Sequence, residues 1–423
     1  MLDLKFIREH PDLVQKAADN KNEAIDIGKI LSLDQKRRDI IQEVEKLKAI
    51  RNKVSEQVAL KKKEKENADK DIAQMKEVGA KIAQLDAELR SVREALDHHL
   101  LRVPNIAHES VPVGTEENNV VVRKWGKIPQ FNFEPLTHWE IGAKFGILDL
   151  AAAAKIAGSG FSLLRGPGAR LQRALINFML DTHTADGFRE IASPFVANTD
   201  AMTGTGQLPK LDEDMYQIKD ENLYLVPTAE VPVTNLHRDE ILSHERLPLY
   251  YVAYTPCFRR EAGAAGKDTR GMLRIHQFEK VELVKIVHPD QSYKEHETLL
   301  AQAEKIIQLL DMPYQVRLLA TGDLSFAASK CYDIEIWAAG LGKYLEVSSV
   351  SNYEDFQARR MNTRFRGEDN KLSYVHTLNG SGTALARLVA AILENNQTEY
   401  GTIIVPEVIR PYMGGVAEIT NNG

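Results

Sequence analysis

The 423-residue chain reads as an α+β protein with a long helical arm at its N-terminus. Three observations predict this. First, apolar residues at Leu33, Ile40, Val44, Leu47, Val54 and Val58, and again at Ile72, Met75, Val78, Ile82, Leu85, Leu89, Val92 and Leu96, recur in steps of three and four. That spacing draws one narrow stripe on each of two helices. Second, Pro104, Pro112, Gly114, Pro129 and Pro135 then break all periodicity. Third, the texture beyond them alternates between helical spacing and period-two runs, the clearest being FRREAGAAGKDTRGMLRIHQFEKVE at 258–282. The boundaries follow: a helical-hairpin domain over 1–100, a linker over 101–135 and a larger domain over 136–423.

In the arm, residues 1–30 form a short helical cap with Leu4, Ile7 and Val14 on its apolar side. The two striped segments contain no proline, and a polar run at 61–70 parts them. They can fold back as an antiparallel hairpin ~45 Å long at 1.5 Å per residue. Lys61, Lys62, Lys63 and Lys65 fall at its tip, where cations can meet a phosphate backbone. Glu64 and Glu66 interleave with them, and a solvated coiled coil used for dimerisation has the same texture.

The larger domain opens with helices over 138–145 and around 151–154, the latter ending at Gly158. A short strand over 161–164, an amphipathic helix over 169–184 and a strand over 188–194 follow. Thr203-Gly204-Thr205-Gly206 lacks the lysine-serine ending of a phosphate loop and reads as a flexible loop. Thr228 and Glu230 face one way if extended, and a hydroxyl beside a carboxylate can hold an ammonium group. The same residues also read as a helix start capped by Thr228. Glu346 lies on a strand over 343–349, either exposed or offering a hard oxygen to a cation. Asn379-Gly380-Ser381-Gly382 has turn chemistry and leads into an apolar helix carrying Arg387.

The 258–282 segment reads as two strands joined by a polar, glycine-containing loop. Cys257, Arg259 and Glu261 share a face, with Arg260 turned away. On the second strand Arg274, His276, Phe278, Lys280 and Glu282 share a face, and Leu273, Ile275 and Val281 line the other. A solvated sheet face shows similar alternation. The loop adds Gly263, Gly266 and Gly271, which let backbone approach a ligand, and the cations Lys267 and Arg270. Arginine forks fit phosphate oxygens, and Phe278 could stack a base. A nucleoside triphosphate site without a P-loop or dinucleotide fold satisfies this pattern.

Composition narrows the partners. Net charge is −6, so any nucleic acid must bind to local patches rather than a chain-wide basic field. Cys257 and Cys331 make neither a disulfide framework nor a metal spacing, which suits a reducing cytosol. The N-terminus is too charged for a signal peptide, and no apolar run reaches membrane length.

The hairpin at 258–282 resembles motif 2 of the class II aminoacyl-tRNA synthetases, and its wording resembles the seryl-tRNA synthetase family, as does the chain from MLDLKFIREHPDLV onward. The helix and strand over 169–194 look like motif 1, which forms the family's dimer interface. The segment over 377–387 looks like motif 3, with Ala386 where the family usually has glycine. The resemblance implies an antiparallel-sheet catalytic domain and a cytoplasmic homodimer. It implies a serine–tRNA ligase that makes seryl-adenylate from L-serine and ATP and serves tRNA(Ser) and tRNA(Sec). Carried onto this sequence, Arg259, Glu261 and Arg274 are catalytic. Thr228, Ala229, Glu230, Glu282, Asn379 and Ser381 surround serine. Arg259, Arg260, Glu261, Phe278, Glu346, Val347, Ser348, Ser349 and Arg387 surround ATP, with Mg²⁺ on Glu346 and Ser349. The arm, with Lys61, Lys62, Lys63 and Lys65, takes the tRNA. Zinc, used by a divergent type in the family, is not expected here. Strict alternation would put Glu346 and Ser349 on opposite faces, so a bulge or strand end near Ser348 is required. Rival readings are an amino-acid-activating paralogue that charges no tRNA, a non-catalytic regulator and a structural coiled coil. The full arm argues against the first and the retained Arg259, Glu261, Phe278, Glu346 and Arg387 against the others.

Overall fold

The computed structural model describes residues 1–262 and 270–421. Lys267, Gly263 and Gly266 of the hairpin loop therefore lie outside the described residues. The chain divides into two compact units, one over Leu2–Pro104 and one from Asn105 onward.

The first unit contains helices α1 (Leu4–Glu9), α2 (Pro11–Asn20), α3 (Ile27–Lys63) and α4 (Asp69–Leu100). Asp3 caps α1 by accepting from the Lys5 and Phe6 amides, and Pro11 opens α2, where no amide donor is needed. The stripe buries as its spacing demands: Ile40, Val44, Leu47, Ile82, Leu89 and Val92 form one cluster, flanked by Leu33, Val78 and Leu85. Val54 and Val58 form a second with Ala68 and Met75. At 37 residues α3 is ~55 Å long, exceeding the expected length because it starts at Ile27. Arg8, Arg37 and Arg38 converge on the buried Asp34 and tie α1 to α3.

The second unit is built on strands β1 (Val120–Trp125), β2 (Arg189–Glu190), β3 (Val196–Asn198), β4 (Leu223–Leu225), β5 (Ile241–Ser243), β6 (Leu249–Phe258), β7 (Gln277–Val287), β8 (Tyr314–Leu318), β9 (Lys330–Ala338), β10 (Lys343–Asn352), β11 (Arg364–Arg366), β12 (Leu372–Tyr374) and β13 (His376–Ala384). Eight of them make one sheet in the order β1-β8-β9-β10-β13-β7-β6-β2. It is antiparallel except where β2 runs parallel to β6. The stretch read as a linker thus contains β1, an edge strand paired with β8. Helices α5 (His138–Phe145), α6 (Leu150–Ala157), α7 (Pro167–Ala185), α8 (Thr199–Thr205), α9 (Glu230–Thr234), α10 (Ser292–Leu309), α11 (Phe356–Met361) and α12 (Leu385–Asn395) complete the unit.

The two faces of β7 show how the sheet is used. Val281 and Leu283 bury in the main core with Leu171 and Phe178 of α7, Leu299 and Ile306 of α10 and Leu388 and Ile392 of α12. Phe278, Lys280 and Glu282 point the other way, into a cleft. Alternation therefore holds along the strand itself. It fails beyond the ends: β6 stops at Phe258 and β7 begins only at Gln277, so Glu261, Arg274 and His276 are not strand residues. Glu261 has φ +51° and Gly271 φ +64°, left-handed backbone that no extended strand contains. Three further readings need correction. At 161–164 Leu164 makes only an isolated bridge to Leu148. The strand expected over 188–194 pairs only at Arg189–Glu190. Thr203, Gly204 and Thr205 belong to α8, which Gly206 ends at φ +97°.

Candidate active site

A cleft of about 640 Å³ opens over the β7, β9, β10 and β13 faces of the sheet, with Arg259 entering it just beyond the end of β6. At one end Glu230 begins α9 and is 6% exposed. The Thr228 hydroxyl accepts from the Glu230 amide at 3.2 Å, but the N-cap of α9 is Ala229, one residue later than the sequence reading placed it, and both Thr228 and Glu230 line the cleft. The Gln357 side chain donates to Glu230 Oε1 at 2.6 Å and to the Thr205 carbonyl at 3.0 Å. Lys280 and Glu282 form a buried ion pair beside it. Burial, then the negative charge of Glu282, pushes the Glu230 carboxyl up to about 7. The Tyr353 hydroxyl donates to Asn379 Oδ1 at 3.1 Å, and Ser348 donates to the Ser381 carbonyl. Asn379 and Ser381 reach the cleft from β13 itself, which continues through the Asn-Gly-Ser-Gly segment expected to turn, with a register shift against β7 at Gly382.

At the other end the Arg259 guanidinium lies 5.2 Å from the Phe278 ring centroid, and its Nε donates to the Pro227 carbonyl at 3.2 Å. One arginine therefore touches both the segment that carries Thr228 and the aromatic floor. Glu261 pairs with Arg274 at 3.0 Å. Arg387, in the first turn of α12, donates to the Glu346 carboxylate at 3.1 Å and, through Nε, to the Leu273 carbonyl at 3.1 Å. The β9–β10 register shifts between Glu346 and Ser348, with Glu346 opposite Glu335 and Ser349 opposite Asp333. The extra residue rotates the strand, and Glu346 and Ser349 both line the cleft.

Some residues named from the sequence sit elsewhere. Arg260 is exposed, does not line the cleft, and has its amide on the Asp214 carbonyl at 2.8 Å. Ala229 is fully buried in a core cluster with Val233 and Leu242 and does not line the cleft. In the arm Lys61 pairs with Asp71 at 2.6 Å, while Lys62, Lys63 and Lys65 are exposed. The structure also adds residues. Asp333 lines the cleft and accepts from the Ser349 hydroxyl. Its carboxyl is raised well above the usual range by burial and by Glu346. Its signal was present, since Cys331, Asp333 and Glu335 alternate along β9. Gln357 had none: it sits in a short helix, 127 residues from the carboxylate it binds.

Glu346, Ser349 and Asp333 line the same cleft, the charge of Glu346 is felt at Asp333, and their hard oxygens suit Mg²⁺.

Residues 1–107 match the family model of the seryl-tRNA synthetase N-terminal domain, and residues 215–396 match the tRNA synthetase class II core domain (G, H, P, S and T). The serine–tRNA ligase of Thermodesulfovibrio yellowstonii is 54% identical, over 98% of this chain and 99% of its own. The chain belongs to the seryl-tRNA synthetase family. It is an enzyme, and its activity is that of a serine–tRNA ligase. Among solved structures, the seryl-tRNA synthetase from Pyrococcus horikoshii complexed with ATP superposes with a TM-score of 0.93 at 40% identity, covering 99% of each chain. The cytoplasmic serine–tRNA ligase from Naegleria fowleri in complex with AMP gives 0.87 at 29%, again covering 99% of each chain. The fold class expected from the sequence, a helical arm with a class II antiparallel-sheet domain, is the one found.

Proposed function

We propose that this cleft joins L-serine to ATP, releasing pyrophosphate, and passes serine from the adenylate to the 3′ end of tRNA(Ser) and of tRNA(Sec). The observation that carries the reading is Arg259, which contacts both the Thr228–Glu230 side and Phe278. An arginine so placed can bridge the serine carboxylate and the α-phosphate, the two anions that must meet. Glu230 and Thr228 would take the α-ammonium group. Glu282, Asn379 and Ser381 are placed to read the side-chain hydroxyl. Phe278 and Arg387 would clamp the adenine, with Glu261 and Arg274 at its edge and the Val347–Ser348 backbone beside the ribose. Glu346 and Ser349 would hold Mg²⁺, whose charge offsets that of the triphosphate. No covalent nucleophile is needed, because alignment and charge stabilisation supply the rate. The arm, through Lys62, Lys63 and Lys65 with Lys61 behind them, would hold the tRNA backbone. The enzyme would act in the cytoplasm as a homodimer assembled through α7 and β2; among the described residues no helix is long and apolar enough to cross a membrane. Serine-dependent pyrophosphate exchange tests the first step, and charging of tRNA(Ser) and tRNA(Sec) tests the second. Exchange without charging would make this an activating enzyme alone.

Glu230 sets a pH dependence. An ammonium group needs the ionised carboxylate, whereas burial holds the carboxyl near 7 in the free cleft. Serine must therefore displace a proton below that pH. Its dissociation constant should rise about tenfold for each unit below about pH 7 and level off above it. Calorimetry in two buffers of different ionisation heat should show proton release at about pH 6 and little at about pH 8. A flat profile would remove Glu230 from the ammonium site.

Glu282 sets selectivity. A site that hydrogen-bonds a hydroxyl rejects the analogue lacking it, because its own buried polar groups are left unpaired. Glu282→Ala should lower the serine-over-alanine ratio in pyrophosphate exchange by at least about tenfold and leave the ATP KM within about twofold. Since this variant also strands the buried Lys280, Glu282→Gln should repeat the loss in milder form. An unchanged ratio in both would mean that the hydroxyl is read by other groups.

A further inference from the structure

His138, at the start of α5, lies outside the cleft and is fully buried. Its ring is held at both nitrogens. Nδ1 lies 2.7 Å from Glu394 Oε1, and the Met272 amide donates to Nε2 at 3.1 Å. An amide can only donate, so Nε2 presents its lone pair and the proton sits on Nδ1, directed at Glu394. Glu394, near the end of α12, is itself fixed by the His138 amide at 2.9 Å and the Leu341 amide at 3.0 Å. The chain of contacts thus runs from the rigid helix α12 through the imidazole to one backbone amide in the segment returning from the hairpin loop.

That segment shapes the nucleotide end of the cleft. The Leu273 carbonyl, one residue beyond Met272, accepts from Arg387 Nε, and Arg274 pairs with Glu261. Gly271 shows how close the imidazole comes. Its φ is +64°, and a Cβ there would lie 2.1 Å from His138 Nε2. The chain passes the ring at a distance only glycine permits.

We propose that His138 is a positioning residue for ATP: it pins the Met272 amide, so that Leu273 and Arg274 hold Arg387 and Glu261 in place. The inference rests on the reading that Arg387 and Glu261 meet the adenine. The ring touches no reactant and acts only through the returning segment. A merely structural histidine would affect both substrates alike, whereas a pin on this segment affects the nucleotide.

Two substitutions separate the two nitrogens. His138→Asn keeps a polar group near Nδ1 for Glu394 but cannot reach the Met272 amide. His138→Gln places an oxygen near the Nε2 position. In pyrophosphate exchange His138→Asn should raise the ATP KM about tenfold, the scale of one buried amide left unpaired, and leave the serine KM within about twofold. His138→Gln should recover most of the loss. Gly271→Ala pushes the segment off the ring from the loop side and leaves the helical core intact, so it should give the same ATP-selective defect even if His138→Asn fails to fold. The double variant should be little worse than either single one. Equal rises in both KM values, a glutamine variant no better than asparagine, or an unchanged ATP KM in Gly271→Ala would each overturn the proposal. Arg387→Ala serves as the control. If it leaves the ATP KM unchanged, the adenine clamp is wrong, and the failure belongs to the proposed function.

Discussion

Arg259→Ala is expected to slow adenylate formation by about two to three orders of magnitude. The guanidinium lies across Phe278 and is anchored by Nε to the Pro227 carbonyl, which leaves its outer edge to bridge two anions. Removing an aligned donor of this kind costs roughly 3–4 kcal/mol of transition-state stabilisation, or about a hundred- to a thousandfold in rate. Arg260→Ala is the matched comparison. That side chain is exposed, and the backbone bond from its amide to Asp214 survives truncation. Its rate should stay within about threefold of the parent. Pyrophosphate exchange measured on both variants decides the matter. Equal losses would mean that the orientation of the two arginines plays no part.

The second large effect concerns the arm. Replacing residues 35–97 by a short Gly/Ser linker should leave adenylate formation near its parental rate and lower tRNA charging steeply. α3 and α4 bury their stripes mainly against one another, and the catalytic unit has its own core. Affinity of the intact enzyme for tRNA should fall as salt rises, because phosphate contacts release counterions, whereas serine affinity should barely move. Lys62, Lys63 and Lys65 should carry more of that salt slope than Lys61, whose charge is matched by Asp71. Charging by the armless protein at the intact rate would show that the arm is a solvated coiled coil and nothing more.

What could be read from the sequence was what local periodicity encodes. The arm was legible because each helix buries a stripe whose spacing is written in neighbouring residues. The cleft face of β7 was legible for the same reason, with Phe278, Lys280 and Glu282 two apart. Errors arose where distant chain overrides local preference. Asn379-Gly380-Ser381-Gly382 has turn chemistry, yet it lies in β13 between β10 and β7. A Cβ on Gly380 would come within 3.3 Å of Val350, so the glycine there serves a close approach within the sheet rather than a turn. The hairpin strands were read too long because alternation of side chains cannot reveal positive φ at Glu261. Gln357 and the imidazole of His138 gain their meaning from partners more than a hundred residues away. The bulge in β10 was the exception. Requiring Glu346 and Ser349 to meet one ligand implied it, and the register shifts where that requirement places it.

That extra residue makes this part of the active site sensitive to chain length more than to chemistry. Val347 is buried and apolar, so another side chain of similar volume can replace it at small cost. Removing it would restore a regular ladder in which Glu346 and Ser349 stand two apart, so both would still face the cleft and Ser349 would stay opposite Asp333. Adding a residue between them has the reverse effect. Unless a further bulge absorbs it, every later residue of β10 turns to the opposite face, Asp333 loses the hydroxyl it holds, and Ser349 leaves the side of the sheet that Glu346 faces. Within β10, then, an added residue is the change this enzyme cannot absorb, whereas the loss of the bulged valine keeps the two ligand-facing side chains on one side.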